Sequence, residues 1–209
     1  MEEKVLSAGL RHLEKNKAFA ALIARFPRPD IGREGETFEA LCRSIIYQQL
    51  SGKAAGTIHG RFLLLFPKKK PTPRLLLQHE REVLRGAGLS NQKTNYLYDL
   101  AQKFSDGFIT PEKFSDMTDE EIREHLVAVK GIGIWTADMF LMFTLGRPDV
   151  LPTLDLGIKK GFQKFFTLQE LPDEKKMKKL AKDWHPYCTI ACTYLWKLAD
   201  EGNPNRPLV

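Results

Sequence analysis

The chain has 209 residues, and 32 lysines and arginines against 26 aspartates and glutamates give it a formal net charge of +6. A hydrophobic fraction of 43% is that of a globular protein and excludes wholesale disorder. Three cysteines exclude a fully paired disulfide framework and fit a reducing compartment. No apolar run reaches the ~18–20 residues that span a bilayer, and the start lacks a signal peptide's apolar stretch. We therefore expect a soluble, intracellular protein, and the excess positive charge is a weak hint of a nucleic-acid partner.

Apolar residues recur at helical spacing in segments around Phe38, Ile58 and Leu97, and again around Leu195. Helix starts are predicted from N-cap residues at Ser51, Ser90 and Asp173 and from the capping box of Thr118 and Glu121. Sustained alternation with a period of two, which is typical of strands, is hard to find. The pattern predicts an all-α protein with roughly nine or ten helices.

The segment 118–146, TDEEIREHLVAVKGIGIWTADMFLMFTLG, is the most informative part of the sequence. It predicts an amphipathic helix to about Val129, a tight hairpin at KGIG, and an apolar second helix that ends at Gly146. Two glycines one residue apart permit positive φ and a close approach of the backbone. Amides at the start of the second helix then suit a phosphate, although a plain helix–turn–helix corner has the same pattern.

Residues on both sides of this hairpin resemble a known family. Residues 149–159, DVLPTLDLGIK, place a loop and an aspartate before a predicted helix, as in the helix–hairpin–helix DNA glycosylases. Further motifs agree with this family in order and spacing. They are FEAL at 38–41, IIYQQLS at 45–51, GLS at 88–90 with Lys93, and Trp184, Pro186 and Trp196. Over about residues 36–200 the chain is similar to the 3-methyladenine DNA glycosylase II family, in its compact, all-helical branch.

The resemblance implies a single glycosylase unit over 1–209 that is built from two helical lobes. A central lobe spans 36–146 and contains the helix–hairpin–helix, residues 1–35 and 150–209 form the second lobe, and the active-site cleft lies between them. The implied activity is hydrolysis of the N-glycosidic bond of 3-methyladenine or 7-methylguanine in double-stranded DNA. The base is flipped out first, an abasic site is left, and the simplest expectation is a monomer.

The resemblance assigns catalysis to Asp155. Breaking an N-glycosidic bond builds positive charge on the deoxyribose, which a carboxylate beside the sugar stabilises. Asp155 also directly precedes a predicted helix from about Leu156 to Phe166, and the role of helix N-cap is compatible with catalysis. Asp138, inside the second hairpin helix, is interpreted as a structural acceptor because a buried carboxylate must be paired.

Trp135 occupies the position where superfamily members that also cleave the DNA backbone have a nucleophilic lysine. Without an amine there to form a Schiff base, the resemblance implies a monofunctional enzyme. An alkylated purine carries positive charge, which an indole face binds. The predicted base pocket consists of Trp135, Trp196, Tyr47, Gln48 and Met139, and core packing is the alternative for each aromatic residue. Met139 stands where the family's bacterial archetype has a tyrosine, and a thioether cannot donate a hydroxyl hydrogen bond.

The turn at 48–51 and the hairpin are the predicted DNA-binding features. Gln49 is expected to fill the gap left by the flipped base, with Leu50 as the alternative. The full predicted set is Lys130, Gly131, Ile132, Gly133, Thr136, Gln49, Leu50, Ser51 and Lys93. The resemblance also implies a monovalent cation on the backbone carbonyls of Val127, Val129 and Ile132.

No other cofactor is expected. An iron–sulfur cluster needs four thiolates, and a zinc site from His185, Cys188 and Cys192 lacks an evident fourth ligand. Two functional alternatives stay open. One is a non-catalytic helix–hairpin–helix DNA-binding module, which would not need Asp155, and the other is a bifunctional glycosylase/lyase that acts on oxidised bases.

Overall fold

A computed structural model describes residues 1–32 and 35–201. The regular structure of these residues is helical throughout, which confirms the predicted all-α class. They form 12 α-helices, more than the nine or ten expected. Several helices have only six residues, and so short a helix leaves little periodicity in the sequence. No helix of the described residues is long and apolar enough to cross a membrane.

The chain divides into two compact units, Met1–Arg33 with Leu141–Val209, and Glu34–Phe140. The first unit contains α1 (Glu3–Leu13), α2 (Lys17–Arg25), α10 (Leu156–Phe165), α11 (Glu174–Leu180) and α12 (Cys188–Asp200). The second contains α3 (Thr37–Tyr47), α4 (Gly52–Leu63), α5 (Pro73–Gln78), α6 (Arg81–Gly86), α7 (Asn91–Ser105), α8 (Asp119–Val127) and α9 (Ile134–Met139). Short 3₁₀ turns lie at Pro67–Lys69, Pro111–Asp116 and Lys182–Trp184.

In the first unit, α10 and α12 pack closely because two glycines of α10 face α12. A Cβ at Gly161 would lie 2.6 Å from the backbone oxygen of Leu195, and one at Gly157 would lie 2.8 Å from the Trp196 ring. An aromatic cluster of Phe19, Phe162, Trp184 and Tyr194 fills the neighbouring core. Trp184 is buried within this cluster.

In the second unit, α3 buries Leu41, Ile45 and Ile46 and packs against α4 and α7. The capping box that opens α8 is present as predicted, with both reciprocal hydrogen bonds between Thr118 and Glu121. The second hairpin helix differs from expectation, because the α-helix ends at Met139 and continues as a π-helix over Phe140–Leu145. Gly146 then follows with φ of 69°, a conformation that glycine adopts without strain.

Candidate active site and DNA interface

Asp155 is the N-cap of α10, as its position in the sequence predicted. Its Oδ1 accepts a hydrogen bond of 2.7 Å from the amide of Ile158, the third residue of the helix. The helix N-terminus also places partial positive charge beside the carboxylate. The Asp155 carboxylate is therefore held in place by the backbone at the N-terminus of α10.

Trp196 fixes the same carboxylate from α12. Its indole Nε1 donates a hydrogen bond of 2.8 Å to Asp155 Oδ1, and its ring packs against Phe143 at a centroid distance of 5.9 Å. The absence of a side chain at Gly157 lets the indole approach so closely. The sequence predicted Trp196 as a wall of the base pocket and did not predict this hydrogen bond, because 41 residues separate the donor from the acceptor.

The turn between α3 and α4 presents Gln49 and Leu50 at the surface. Gln49 has φ of 57°, in the left-handed region that costs a non-glycine residue about 1–2 kcal/mol. Ser51 closes the turn as the N-cap of α4 and accepts from the amide of Ala54. A strained, exposed turn must be held by its surroundings, and Lys93 does this.

Lys93 lies in the first turn of α7, and its ammonium donates to two backbone carbonyls of the α3 end. Nζ is 2.7 Å from the oxygen of Ile46 and 2.7 Å from that of Gln48. Burial lowers the pKa of Lys93. The sequence placed Lys93 among the residues that contact DNA, whereas in the structure its ammonium binds the turn that was predicted to enter the DNA.

The hairpin is tied to the same turn through Gln48. Its Nε2 donates a hydrogen bond of 2.8 Å to the carbonyl of Gly131. On the other side, the carboxylate of Asp99 accepts from the amide of Lys130 at 2.9 Å. Burial acts to raise the pKa of Asp99, but hydrogen bonds from the Lys130 amide and the Lys103 ammonium outweigh it and lower that pKa. No sequence signal marked Asp99, which lies 31 residues before Lys130.

The two hairpin glycines have different roles. Gly131 has φ of 84°, and a Cβ there would lie 2.1 Å from the ring of Tyr96, so only glycine fits. Gly133 has an extended backbone and is the N-cap of α9, and a Cβ there would have no neighbour within 4 Å.

The other predicted site residues of the second unit, Glu34–Phe140, differ in exposure. Trp135 is 45% exposed, and Tyr47 is half-buried with the Arg43 guanidinium 4.7 Å from its ring centre. Met139 is half-buried, whereas Ile132 and Thr136 are buried. Because the side chains of Ile132 and Thr136 are covered, a DNA contact from either residue would have to come from its backbone.

Three further predicted positions lie at the hairpin. Lys130 and Val127 are exposed, whereas Val129 is buried and its carbonyl accepts from the amide of Ile132.

Asp138 is a structural acceptor, as interpreted from the sequence. It is 3% exposed, and its Oδ1 accepts a hydrogen bond of 2.6 Å from Nε of Arg123 in α8. Burial raises the pKa of Asp138, and the Arg123 hydrogen bond opposes that shift. The pair joins the two helices of the hairpin.

Sequence comparisons with known proteins agree on one family. The family model described as HhH-GPD superfamily base excision DNA repair protein matches residues 42–186. DNA-3-methyladenine glycosylase 1 of Schizosaccharomyces pombe is 36% identical over 205 residues, which cover 95% of this chain and 90% of that protein. A putative DNA-3-methyladenine glycosylase of Bacillus subtilis, YfjP, is 29% identical over 201 residues, or 93% of this chain and 70% of that protein.

Solved structures agree with the sequence comparisons. The S. pombe 3-methyladenine DNA glycosylase in complex with abasic DNA has a TM-score of 0.80 at 31% identity, with 95% of this chain and 100% of that chain covered. A DNA-3-methyladenine glycosidase from Bacillus halodurans has a TM-score of 0.84 at 34% identity, with coverages of 91% and 88%.

Proposed function

The chain belongs to the HhH-GPD superfamily of base excision DNA repair proteins, and we propose that it hydrolyses the N-glycosidic bond of alkylated purines in double-stranded DNA. Relatives named DNA-3-methyladenine glycosylase and a structural neighbour bound to abasic DNA support this activity. The observation that carries the chemistry is the carboxylate of Asp155, which two donors hold at the N-terminus of α10. The products are a freed base and an abasic site.

Asp155 acts on the sugar. As the bond between base and deoxyribose lengthens, positive charge develops on the sugar ring, and a fixed carboxylate stabilises that charge without having to reorganise. The same group can orient the water that attacks the anomeric carbon. An alkylated purine leaves as a neutral molecule, so the reaction needs no strong general acid.

Trp135 makes the enzyme monofunctional in this proposal. An indole cannot form the Schiff base that precedes cleavage of the DNA backbone. Its exposed ring instead suits a cationic base, since a cation over an indole gains about 0.5–2 kcal/mol. Tyr47, Gln48 and Met139 are the other residues proposed to contact the base from the same unit.

DNA is held by the turn and the hairpin. Gln49 or Leu50 fills the space of the flipped base, and the hairpin amides at Gly131 and Gly133, together with Lys130, bind a phosphate. The carbonyls of Val127, Val129 and Ile132 are proposed to hold a monovalent cation beside that phosphate. These backbone contacts read no sequence, which suits an enzyme that inspects any DNA.

The decisive experiment replaces Asp155 with asparagine. We expect Asp155→Asn to abolish release of 3-methyladenine and 7-methylguanine from methylated DNA, while the affinity for DNA stays unchanged. Asp173→Asn is a matched control, because Asp173 also caps a helix and accepts at 2.7 Å from the third residue's amide. Equal base release by Asp155→Asn would refute the mechanism.

The same assay separates the alternatives. A chain that binds DNA but frees no base, even without substitution, would be a non-catalytic binding module. A covalent adduct with DNA after borohydride treatment would instead indicate a bifunctional lyase, and the indole at position 135 predicts that none forms.

A further inference from the structure

Three side chains of metal-binding type meet at the start of α12. Asp149 comes from the loop after the π-helical segment, and His185 and Cys188 lie three residues apart just before and at the first residue of α12. One ligand atom from each lies within 4.8 Å of the others. The sequence alone suggests only His185, Cys188 and Cys192 as ligands, because Asp149 is 36 residues from His185.

The distance between the nitrogen and sulfur ligands of this cluster matches that of a tetrahedral zinc site. His185 Nδ1 is 2.8 and 2.9 Å from the two carboxylate oxygens of Asp149, and Cys188 Sγ is 3.6 Å from the same nitrogen. Bond lengths of about 2.0–2.1 Å to nitrogen and about 2.3 Å to sulfur place these two donors about 3.6 Å apart at a tetrahedral angle. The nitrogen–oxygen separation would have to open to about 3.3 Å, a small movement for an imidazole that is 49% exposed.

We propose that Asp149, His185 and Cys188 bind a divalent transition-metal ion of zinc type. Thiolate and imidazole ligands favour Zn²⁺ over Mg²⁺ or Ca²⁺, which prefer oxygen. The exposed side of His185 leaves a fourth position to solvent, and three protein ligands with one water are common for zinc. This site is separate from the glycosylase chemistry and does not depend on it.

Metal binding replaces a proton. Cys188 would bind the ion as its thiolate, so the thiol has to give up its hydrogen. The S–H bond breaks, a metal–sulfur bond forms, and the proton passes to the buffer. In the metal-free chain the Asp149 carboxylate accepts from His185 and from the amide of Cys188.

The ion would fasten the loop that leads to the proposed catalytic residue. Asp149 precedes Asp155 by six residues, and α12, which begins at Cys188, also carries Trp196. A metal that joins Asp149 to the start of α12 therefore restrains both segments that position the Asp155 carboxylate. Its expected effect is stabilisation of the folded chain.

Spectroscopy with Co²⁺ tests the site directly. When the metal-free 209-residue chain is titrated with Co²⁺, we expect a sulfur-to-cobalt charge-transfer band that saturates at one ion per chain. Cys188→Ser should lose the band. Cys192→Ser is the matched control, because Cys192 is buried one turn later in the same helix, and it should keep the band. A band that survives in Cys188→Ser, or that is lost equally in Cys192→Ser, overturns the assignment.

Zn²⁺ stabilisation gives a second measurement that does not depend on how Cys188→Ser folds. At a 100-fold excess over Kd, binding to the folded state should raise Tm by about 5–10 °C. His185→Gln changes an exposed side chain, and we expect it to fold normally and to show at least tenfold weaker Zn²⁺ binding. An unsubstituted chain with neither a band nor a rise in Tm would mean that the cluster is only an ion pair beside a buried thiol.

Discussion

Replacement of Lys93 by methionine tests whether this lysine holds the turn or binds DNA. The substitution keeps the length of the side chain and removes an ammonium that donates 2.7 Å hydrogen bonds to the carbonyls of Ile46 and Gln48. Hydrogen bonds to charged groups contribute about 1.5–3 kcal/mol each, but the two bonds share one partly desolvated ammonium. We therefore expect a net loss of about 2 kcal/mol in the free energy of unfolding, or about 4–8 °C in Tm for a chain of this size.

The salt dependence of DNA binding distinguishes the two roles. A lysine on a phosphate contributes about one unit to the slope of log K against log salt concentration, whereas a lysine that binds protein carbonyls contributes nothing. We expect Lys93→Met to lower stability and base release and to leave the slope unchanged. Lys179→Met, at an exposed lysine of α11, is the control for the loss of a charge. Unchanged stability together with a slope reduced by about one would refute this reasoning.

Three further outcomes follow from the contacts in each unit. Trp196→Phe keeps a ring but removes the donor to Asp155, so base release should fall about 10- to 100-fold with little change in DNA affinity, measured by single-turnover kinetics. Gly131→Ala should lower the free energy of unfolding by about 2 kcal/mol or more and weaken DNA binding, because its Cβ would overlap Tyr96; wild-type stability in denaturant titration would contradict this. Because the folded chain lowers the pKa of Asp99, the ionised carboxylate adds stability above about pH 4, and this stability is lost as the pH falls. The Tm of Asp99→Asn should therefore fall less steeply with acid than that of the unsubstituted chain, measured by thermal melts.

The sequence predicted those features whose physical causes are local. Thr118 with Glu121, and Asp155 before its helix, announce helix starts because a cap acts on amides two or three residues away. Asp138 could be interpreted as a paired acceptor because a carboxylate in an apolar helix must find a donor. The number of helices was too low because helices of six residues complete fewer than two turns.

The sequence could not predict contacts between residues distant in the chain. The hydrogen bonds of Lys93 to Ile46 and Gln48 are the clearest such case, since an exposed lysine and one that binds backbone carbonyls look the same in a sequence. The contacts of Asp99 with the Lys130 amide and of Asp149 with His185 could not be predicted for the same reason. Carboxylates are common, and nothing local in the sequence indicates their partners.

By itself the sequence determined the all-α class, the hairpin at KGIG and the position of Asp155 at a helix start, because periodicity, capping and backbone freedom act over a few residues. The tertiary structure alone decided that Trp196 donates to Asp155 and that Gly131 must lack a side chain beside Tyr96. Such contacts depend on where separate helices meet, and packing fixes that only once the whole unit has folded.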